Sequence, residues 1–232
     1  MTTNVVLIPG LNNTAETWSQ VQQYLPADWN VQAVDIPPIS DIDEIANQLL
    51  EGMQEPVYLC GFSFGGYVAL AMLEKAPELI KGFILLGSNT TADSEQQKIV
   101  RNKAIGRAEN GEYFEMMEAN GPLTFHPNSL KNKEMMRTRR KIVNDYGPKR
   151  FIAHVKATMG RRDRTLIFKE AAIPKLVVAG KEDGVVPAGQ LQELAASASN
   201  TEFKMIVDTG HMMPLEQPVA VAEVLQNWIE RQ

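Results

Sequence analysis

The chain has 232 residues, of which 44% are hydrophobic and 22% are charged, and its formal net charge at pH 7 is −5. This length and apolar content predict one large core, and the acidic balance gives no reason to expect nucleic acid or an anionic membrane as a partner. The single cysteine, Cys60, cannot form an internal disulfide, and no basic segment precedes the first apolar run, so we expect a cytoplasmic protein without a secretory signal.

Short apolar runs in chain order predict strands at residues 5–8, 31–35, 57–61, 83–87, 175–180 and 203–208. Most of these runs are continuous rather than alternating, which is typical of strands covered on both faces. Helices are predicted at residues 14–25, from Ser40 or Asp41 onward, directly after Ser63, at 188–198 and at 218–231. Because strand and helix alternate, the sequence predicts the α/β class, with a doubly wound, mainly parallel sheet of about six strands.

The segment at residues 91–169 breaks this alternation. It contains no convincing strand and predicts several helices, interrupted near Asn110-Gly111, Gly121-Pro122, Pro127 and Gly147-Pro148. Residues 91–170 carry 17 Lys and Arg against 10 Asp and Glu, whereas the rest of the chain carries 6 against 18. We therefore predict a basic helical cap at 91–169, inserted into a core made of residues 1–90 and 170–232. The opposite charges favour adhesion of the two parts, and they could also attract an anionic substrate.

The segment from Gly61 to Gly65 is the most informative motif. Ser63 stands between two glycines in a Gly-x-Ser-x-Gly pattern, with a predicted strand before it and a predicted helix after it. Such a corner lifts the serine out of the sheet, and the glycines avoid collisions with neighbouring backbone. A small-residue turn with an incidental serine is the simpler alternative, but the strand and helix on either side favour a nucleophile.

A serine hydroxyl needs a base, and the chain offers three histidines. His126 and His154 fall in the predicted cap, where structural or surface roles are expected. His211 follows the last predicted strand, in a loop at the carboxyl edge of the sheet, where the Ser63 turn must also lie. We therefore predict His211 as the base.

The histidine in turn needs a carboxylate that fixes its tautomer. Asp183 follows the fifth predicted strand and gives the chain order Ser…Asp…His. Glu182 is adjacent and is an alternative acid, and Asp35 is a weaker candidate with an alternative role as a helix cap or loop carboxylate. We predict Asp183.

Hydrolysis also requires hydrogen-bond donors for a developing oxyanion. One donor is expected to be the backbone N–H of Phe64, which follows the serine at the start of a helix. The second is expected to be the N–H of Leu11, in the loop after the first strand, where Gly10 lets the chain turn. A plain strand-to-helix connection is the alternative for that loop.

Together these motifs resemble the α/β-hydrolase fold superfamily, over nearly the full length of the chain, and within it small bacterial-type serine hydrolases with a helical cap. Residues 61–66 are similar to the nucleophile elbow of that family, residues 180–187 to its acid loop and residues 210–218 to its histidine loop. The family often has His-Gly at the oxyanion loop, whereas this chain has Pro9-Gly10, so the hydrogen-bond support of that loop must differ.

The resemblance implies an enzyme, a serine hydrolase that cleaves a small carboxylic ester or lactone through an acyl-enzyme. A carbon–carbon bond hydrolase or lyase acting on a carboxylated metabolite is the alternative, with cap arginines (Arg137, Arg139, Arg140, Arg161 and Arg162) holding the anion. A non-catalytic ligand-binding signalling protein is a third. The expected substrate pocket is formed by Trp18, Phe62 and Met212, together with Leu11, Phe64 and the cap residues Phe114, Met116 and Met117. Each of these apolar residues could instead serve the core. We expect a small-molecule substrate, no cofactor or metal, and a monomer or homodimer.

Overall fold

The predicted strands all form, and they join into one parallel sheet in the order β2-β1-β3-β4-β5-β6. The structure is a computed structural model and describes residues 2–232. Its strands are β1 Asn4–Ile8, β2 Asn30–Ala33, β3 Val57–Phe62, β4 Ile80–Leu86, β5 Lys175–Gly180 and β6 Thr201–Ile206. The doubly wound α/β prediction is confirmed.

Eleven α-helices surround the sheet within the described residues. They are α1 Ser19–Tyr24, α2 Ile42–Glu51, α3 Phe64–Lys75, α4 Glu95–Glu109, α5 Tyr113–Ala119, α6 Gly121–Thr124, α7 Lys133–Gly160, α8 Thr165–Glu170, α9 Ala188–Ala196, α10 Met213–Glu216 and α11 Pro218–Ile229. Helix α2 begins directly after Asp41, one of the two predicted starts, and the Asp41 side chain caps it by accepting a hydrogen bond from the Glu44 N–H. Among residues 2–232, no helix combines the length and the apolar character that crossing a bilayer requires.

Several element boundaries differ from the sequence-based prediction; strand β4, for example, begins at Ile80 and not at residue 83. The single helix predicted at 14–25 is a 3₁₀ turn, Ala15–Trp18, followed by the short helix α1. The last strand lies two residues earlier than predicted, at Thr201–Ile206, because Asp208 has a φ of +55° and the chain has already turned toward the histidine loop. Short apolar runs fix an element's existence better than its ends.

The two faces of the sheet pack against different helices. In β1, Val6 and Ile8 pack with α2, α3 and α9, whereas Val5 and Leu7 pack with α1 and α11. Both faces of the sheet are therefore buried, as expected for parallel strands.

Between β4 and β5, helices α4 to α7 form the helical segment that was predicted as a cap. They share a small apolar cluster of their own, which includes Ile105, Tyr113, Val143 and Phe151. The interruption predicted at Gly147-Pro148 is present as a kink within α7, where Gly147 leaves the helical conformation with a φ of +72° and a ψ of +165°. The division of the chain at residues 91 and 169 stays a prediction; below, "the cap" means helices α4 to α7.

Candidate active site

Ser63 is the single residue between β3 and α3, at the corner predicted from the sequence. Its backbone has a φ of +50° and a ψ of −116°, a strained conformation for a residue with a side chain. A side chain at Gly65 would place its Cβ 2.5 Å from the carbonyl oxygen of Ile8, and one at Gly61 would lie 2.6 Å from that of Gly65. The two glycines therefore let the serine corner fit against β1.

Three distant side chains meet at the carboxyl edge of the sheet. His211 Nδ1 lies 2.7 Å from Asp183 Oδ2, and His211 Nε2 lies 2.9 Å from Ser63 Oγ. Because an ionised carboxylate only accepts hydrogen bonds, Nδ1 carries the proton and Nε2 is left to accept the Ser63 hydroxyl proton. The arrangement can therefore raise the nucleophilicity of the serine.

The other candidate acids have different partners. Asp183 Oδ1 accepts hydrogen bonds from the N–H groups of Val185 and Val186, so its second oxygen is fixed toward His211. Glu182 accepts from the Thr209 N–H and so supports the backbone before the histidine. Asp35 accepts from the Ala15 N–H, which is the loop and capping role considered as its alternative.

Neither of the remaining histidines touches the serine. His154 is buried between the Tyr146 hydroxyl, 2.6 Å from Nδ1, and the Pro37 carbonyl, 2.7 Å from Nε2. Burial is the main cause that lowers the pKa of His154, to about 4. His126 accepts a hydrogen bond from the Asn128 N–H.

The buried Cys60 thiol lies on β3, three residues before Ser63, and burial raises its pKa well above the usual value. A thiol that stays protonated is inert, in agreement with a packing role.

The backbone N–H groups of Leu11 and Phe64 have no hydrogen-bond partner among residues 2–232, and both residues line the same cavity as Ser63. Phe64 is the first residue of α3, where helical N–H groups are unpaired. The Gly10 carbonyl accepts from the Asn13 N–H, and because peptide C=O and N–H groups point in opposite directions, this bond turns the Leu11 N–H away from Asn13. A Cβ on Gly10 would lie 3.1 Å from Ser63 Cβ, so this loop passes directly over the serine.

The support of this loop comes from residues that sequence reasoning missed. The Asn13 side chain donates to the Leu11 carbonyl and accepts from Thr17 Oγ1. From the cap, Arg139 Nη1 donates to the Asn12 carbonyl at 2.7 Å and to Asn13 Oδ1 at 3.1 Å. These contacts take the place of the His-Gly support expected from the family pattern. The Asn-Asn pair was visible as a turn signal, but nothing in the sequence placed Arg139 beside it.

Ser63 lines a cavity of about 220 Å³. It is lined by Leu11, Asn12, Asn13, Ser63, Phe64, Tyr67, Arg101, Asn120, Leu123, Thr124, Arg139, Thr158, Val185, Val186, His211 and Met212. Leu11, Phe64 and Met212 were expected there.

Three other residues expected in the pocket lie elsewhere. Trp18 is fully buried and packs edge-on against Phe62 at 6.2 Å, and neither residue lines the cavity, because both point into the core on the face of α1 and α11. Met116 is buried in the cap cluster.

Two cap side chains, Phe114 and Met117, line a neighbouring cavity of about 860 Å³, between α5, α6 and α7. Arg139 lines both cavities.

The histidine loop is tied to the cap. The N–H groups of His211 and Met212 donate to the Thr124 carbonyl at the end of α6. The Glu216 carboxylate accepts from Gly210 and Met212 with Oε1 and from the cap residue His126 with Oε2. The position of the candidate base therefore depends on both parts of the molecule.

Comparisons with known proteins agree with this fold. A family model described as the alpha/beta hydrolase fold matches residues 39–218. An uncharacterized hydrolase, YugF, of Bacillus subtilis (strain 168) is 23% identical over 97% of this chain and 89% of its own length. Among solved structures, a malate-bound thermophilic esterase from Thermogutta terrifontis superposes with a TM-score of 0.91 at 23% identity, over 100% of this chain and 90% of that one. The enol-lactonase from Burkholderia xenovorans LB400 superposes with a TM-score of 0.88 at 16% identity, over 99% and 92%.

Proposed function

This chain belongs to the alpha/beta hydrolase fold family, and on that premise we propose that it is a serine hydrolase that cleaves a small carboxylic ester or lactone. The observation that supports the proposal most directly is the continuous row of hydrogen bonds from Asp183 through His211 to Ser63. A buried carboxylate, an imidazole and an alcohol in this order have a clear chemical use, the transfer of an acyl group to the alcohol.

In the proposed reaction, Ser63 Oγ attacks the carbonyl carbon while its proton moves to His211 Nε2. The resulting imidazolium then donates this proton to the leaving alkoxide, and an acyl group remains on Ser63. Water attacks the acyl-enzyme by the same route, with His211 again as base. Asp183 stays ionised throughout and stabilises the imidazolium through Nδ1–H.

The negative charge that develops on the carbonyl oxygen needs donors already in place. The N–H groups of Leu11 and Phe64 are proposed for this role, because both lie beside Ser63 and neither has another partner among residues 2–232. The loss of one such donor costs about 3 kcal/mol of activation free energy.

The size of the cavity favours a small substrate. Its volume of about 220 Å³ lies below the roughly 300–1,000 Å³ that is usual for sites of drug-sized ligands. The two structural neighbours are named for ester and lactone cleavage. Their names support the same class of bond here.

A serine-reactive fluorophosphonate tests the proposal. We expect the reagent to label the wild-type protein and not the Ser63→Ala variant. Ser88→Ala is the matched control, because the Ser88 hydroxyl packs behind the elbow, against Gly66, and does not line the cavity. Labelling that persists in Ser63→Ala contradicts the assignment of the nucleophile.

A panel of short p-nitrophenyl esters, lactones and an anionic diketone then identifies the bond cleaved. Turnover of the esters and lactones supports the proposal. Ester rates below about a hundredth of the diketone rate favour carbon–carbon bond cleavage by the same side chains. Tight ligand binding without turnover of any compound favours the non-catalytic alternative.

A further inference from the structure

Arg139 is a buried cation without a carboxylate partner. The residue is only 9% exposed, and no Asp or Glu oxygen among residues 2–232 lies within salt-bridge distance of it. Burial is the main cause that lowers the pKa of Arg139, to about 10, so the guanidinium remains charged at neutral pH. Buried charges are normally paired, because their desolvation is costly.

The other buried arginines follow that rule. Arg161 Nη1 lies 2.6 Å from Asp93, and Arg164 is held by both Asp43 and Glu74. The sequence-based idea that Arg161 holds a substrate anion is therefore wrong, since its charge is already matched inside the protein. Arg162, on the surface, also pairs with Asp43 and Glu74.

The guanidinium of Arg139 has one edge in use and one edge free. Nη1 donates to the Asn12 carbonyl and Asn13 Oδ1, whereas Nε and Nη2 make no hydrogen bond within residues 2–232. The Nε–H and one Nη2–H bond point the same way, which matches the two oxygens of one carboxylate. Arg139 lines the same cavity as Ser63 and His211.

The surroundings of Arg139 are suited to an anion. No Asp or Glu lines the cavity that contains Ser63. The second arginine in the lining of this cavity, Arg101, is bonded to Asp93. The neighbouring cavity has a single acidic residue in its lining, Glu118, which is bonded to Arg140. Neither cavity lined by Arg139 therefore has an unpaired Asp or Glu side chain in its lining among the described residues.

We infer that the free edge of Arg139 binds a carboxylate group of the substrate, so that the preferred substrate is the monoester of a short dicarboxylic acid. This inference rests on the proposed hydrolase function and specifies its substrate class. The ester carbonyl lies at Ser63 and the free carboxylate at Arg139, within one small cavity. Arg139 also donates a hydrogen bond to the Asn12 carbonyl, in the loop that carries the proposed Leu11 donor. A carboxylate bound to the free edge of Arg139 therefore lies next to the proposed oxyanion site.

The kinetic test uses two methyl esters of the same shape, monomethyl glutarate and the methyl ester of glutaric acid monoamide. For the wild type we expect kcat/KM to be at least about tenfold higher for the carboxylate, the size expected for a hydrogen-bonded charge pair. Arg139→Met should remove this preference, and Arg139→Lys should keep part of it. The ratio of the two substrates is the readout, because a disturbed Leu11 loop lowers both rates together.

Lys149→Met is the matched control. It removes one positive charge from the same helix α7 at an exposed position outside both cavities, and should leave the ratio unchanged. A wild-type enzyme that cleaves both esters equally well overturns the inference, and so does an Arg139→Met variant that keeps the preference.

A binding measurement separates this inference from the proposed function. Calorimetry on the Ser63→Ala protein should detect glutarate but not glutaric diamide, and the double variant Ser63→Ala/Arg139→Met should lose glutarate binding. Binding of glutarate supports the carboxylate site even where the wild type cleaves no ester and no fluorophosphonate label appears. Equal binding of the acid and the diamide overturns the inference, even where ester cleavage is demonstrated.

Discussion

The carboxyl edge of the sheet and the cap bury ionisable side chains in different ways. In the core, Asp183 and His211 are buried together at the ends of β5 and β6, and each satisfies the other. In the cap, Arg139 on α7 is buried without a carboxylate partner within residues 2–232 and donates instead to Asn12 and Asn13. In the proposed function, the core therefore supplies the reactive groups of the site, and the cap supplies the cation proposed to select the substrate.

The largest expected loss of activity comes from a substitution in the core. Asp183→Asn should lower kcat by roughly a thousandfold to ten-thousandfold, because an amide cannot hold His211 in the tautomer that accepts the serine proton. Steady-state kinetics on a short ester, with circular dichroism as a check of folding, measure this effect.

Glu182→Gln is the matched control for this prediction, one residue earlier in the same loop. It should retain most activity, because Glu182 bonds the Thr209 N–H and not the histidine ring. If Glu182→Gln loses its esterase activity while Asp183→Asn keeps it, Asp183 is not the acid that orients His211.

The same difference explains what the sequence could and could not predict. Loops that follow parallel strands must meet at one sheet edge, so the positions of Ser63, Asp183 and His211 followed from six apolar runs and the order of three residues. Their geometry in the structure agrees with that reasoning, while their catalytic roles stay proposals.

The cap offered no such rule. Residues 133–141 contain five Lys or Arg among few apolar residues, so periodicity could not indicate which of these side chains faces inward. The rotation of α7 depends on packing against Ile105 and Tyr113 in the cap cluster, which only three-dimensional contacts reveal. Trp18 and Phe62 were misplaced for a related reason, since a large aromatic beside a site can equally face the core.

A second prediction concerns the stability of the cap in acid. The buried His154 has a folded-state pKa lowered to about 4 from its usual 6.5. Above pH 6.5 the ring is neutral in both states and contributes no pH dependence. Between pH 6.5 and 4 the unfolded chain binds a proton that the folded protein does not, so the free energy of unfolding should fall by about 3 kcal/mol as the pH is lowered.

The His154→Gln variant isolates this contribution. Glutamine can still accept from the Tyr146 hydroxyl and donate to the Pro37 carbonyl, but it does not titrate. Urea unfolding from pH 7 to pH 4 should show the difference between the wild type and the variant changing steadily across that window. A difference that does not vary with pH would show that His154 titrates normally in the folded protein.

The smallest expected effect concerns the junction between core and cap. Glu216 Oε1 accepts from the loop N–H groups of Gly210 and Met212, and Oε2 accepts from the N–H of His126. In Glu216→Gln the amide oxygen can keep the two loop bonds, but its NH₂ group then faces the His126 N–H, donor against donor. One unsatisfied contact of this kind costs about 1–3 kcal/mol.

Because this penalty falls on the cap and not on the histidine loop, Glu216→Gln should raise KM by about five- to twentyfold while kcat changes by less than about threefold. Glu216→Ala removes the loop bonds as well and should lower kcat too, since Gly210 and Met212 flank His211. The difference between the two variants separates positioning of the base from attachment of the cap. If Glu216→Gln lowers kcat as much as Glu216→Ala does, the carboxylate acts on the histidine loop alone, and the cap does not contribute to substrate binding through this contact.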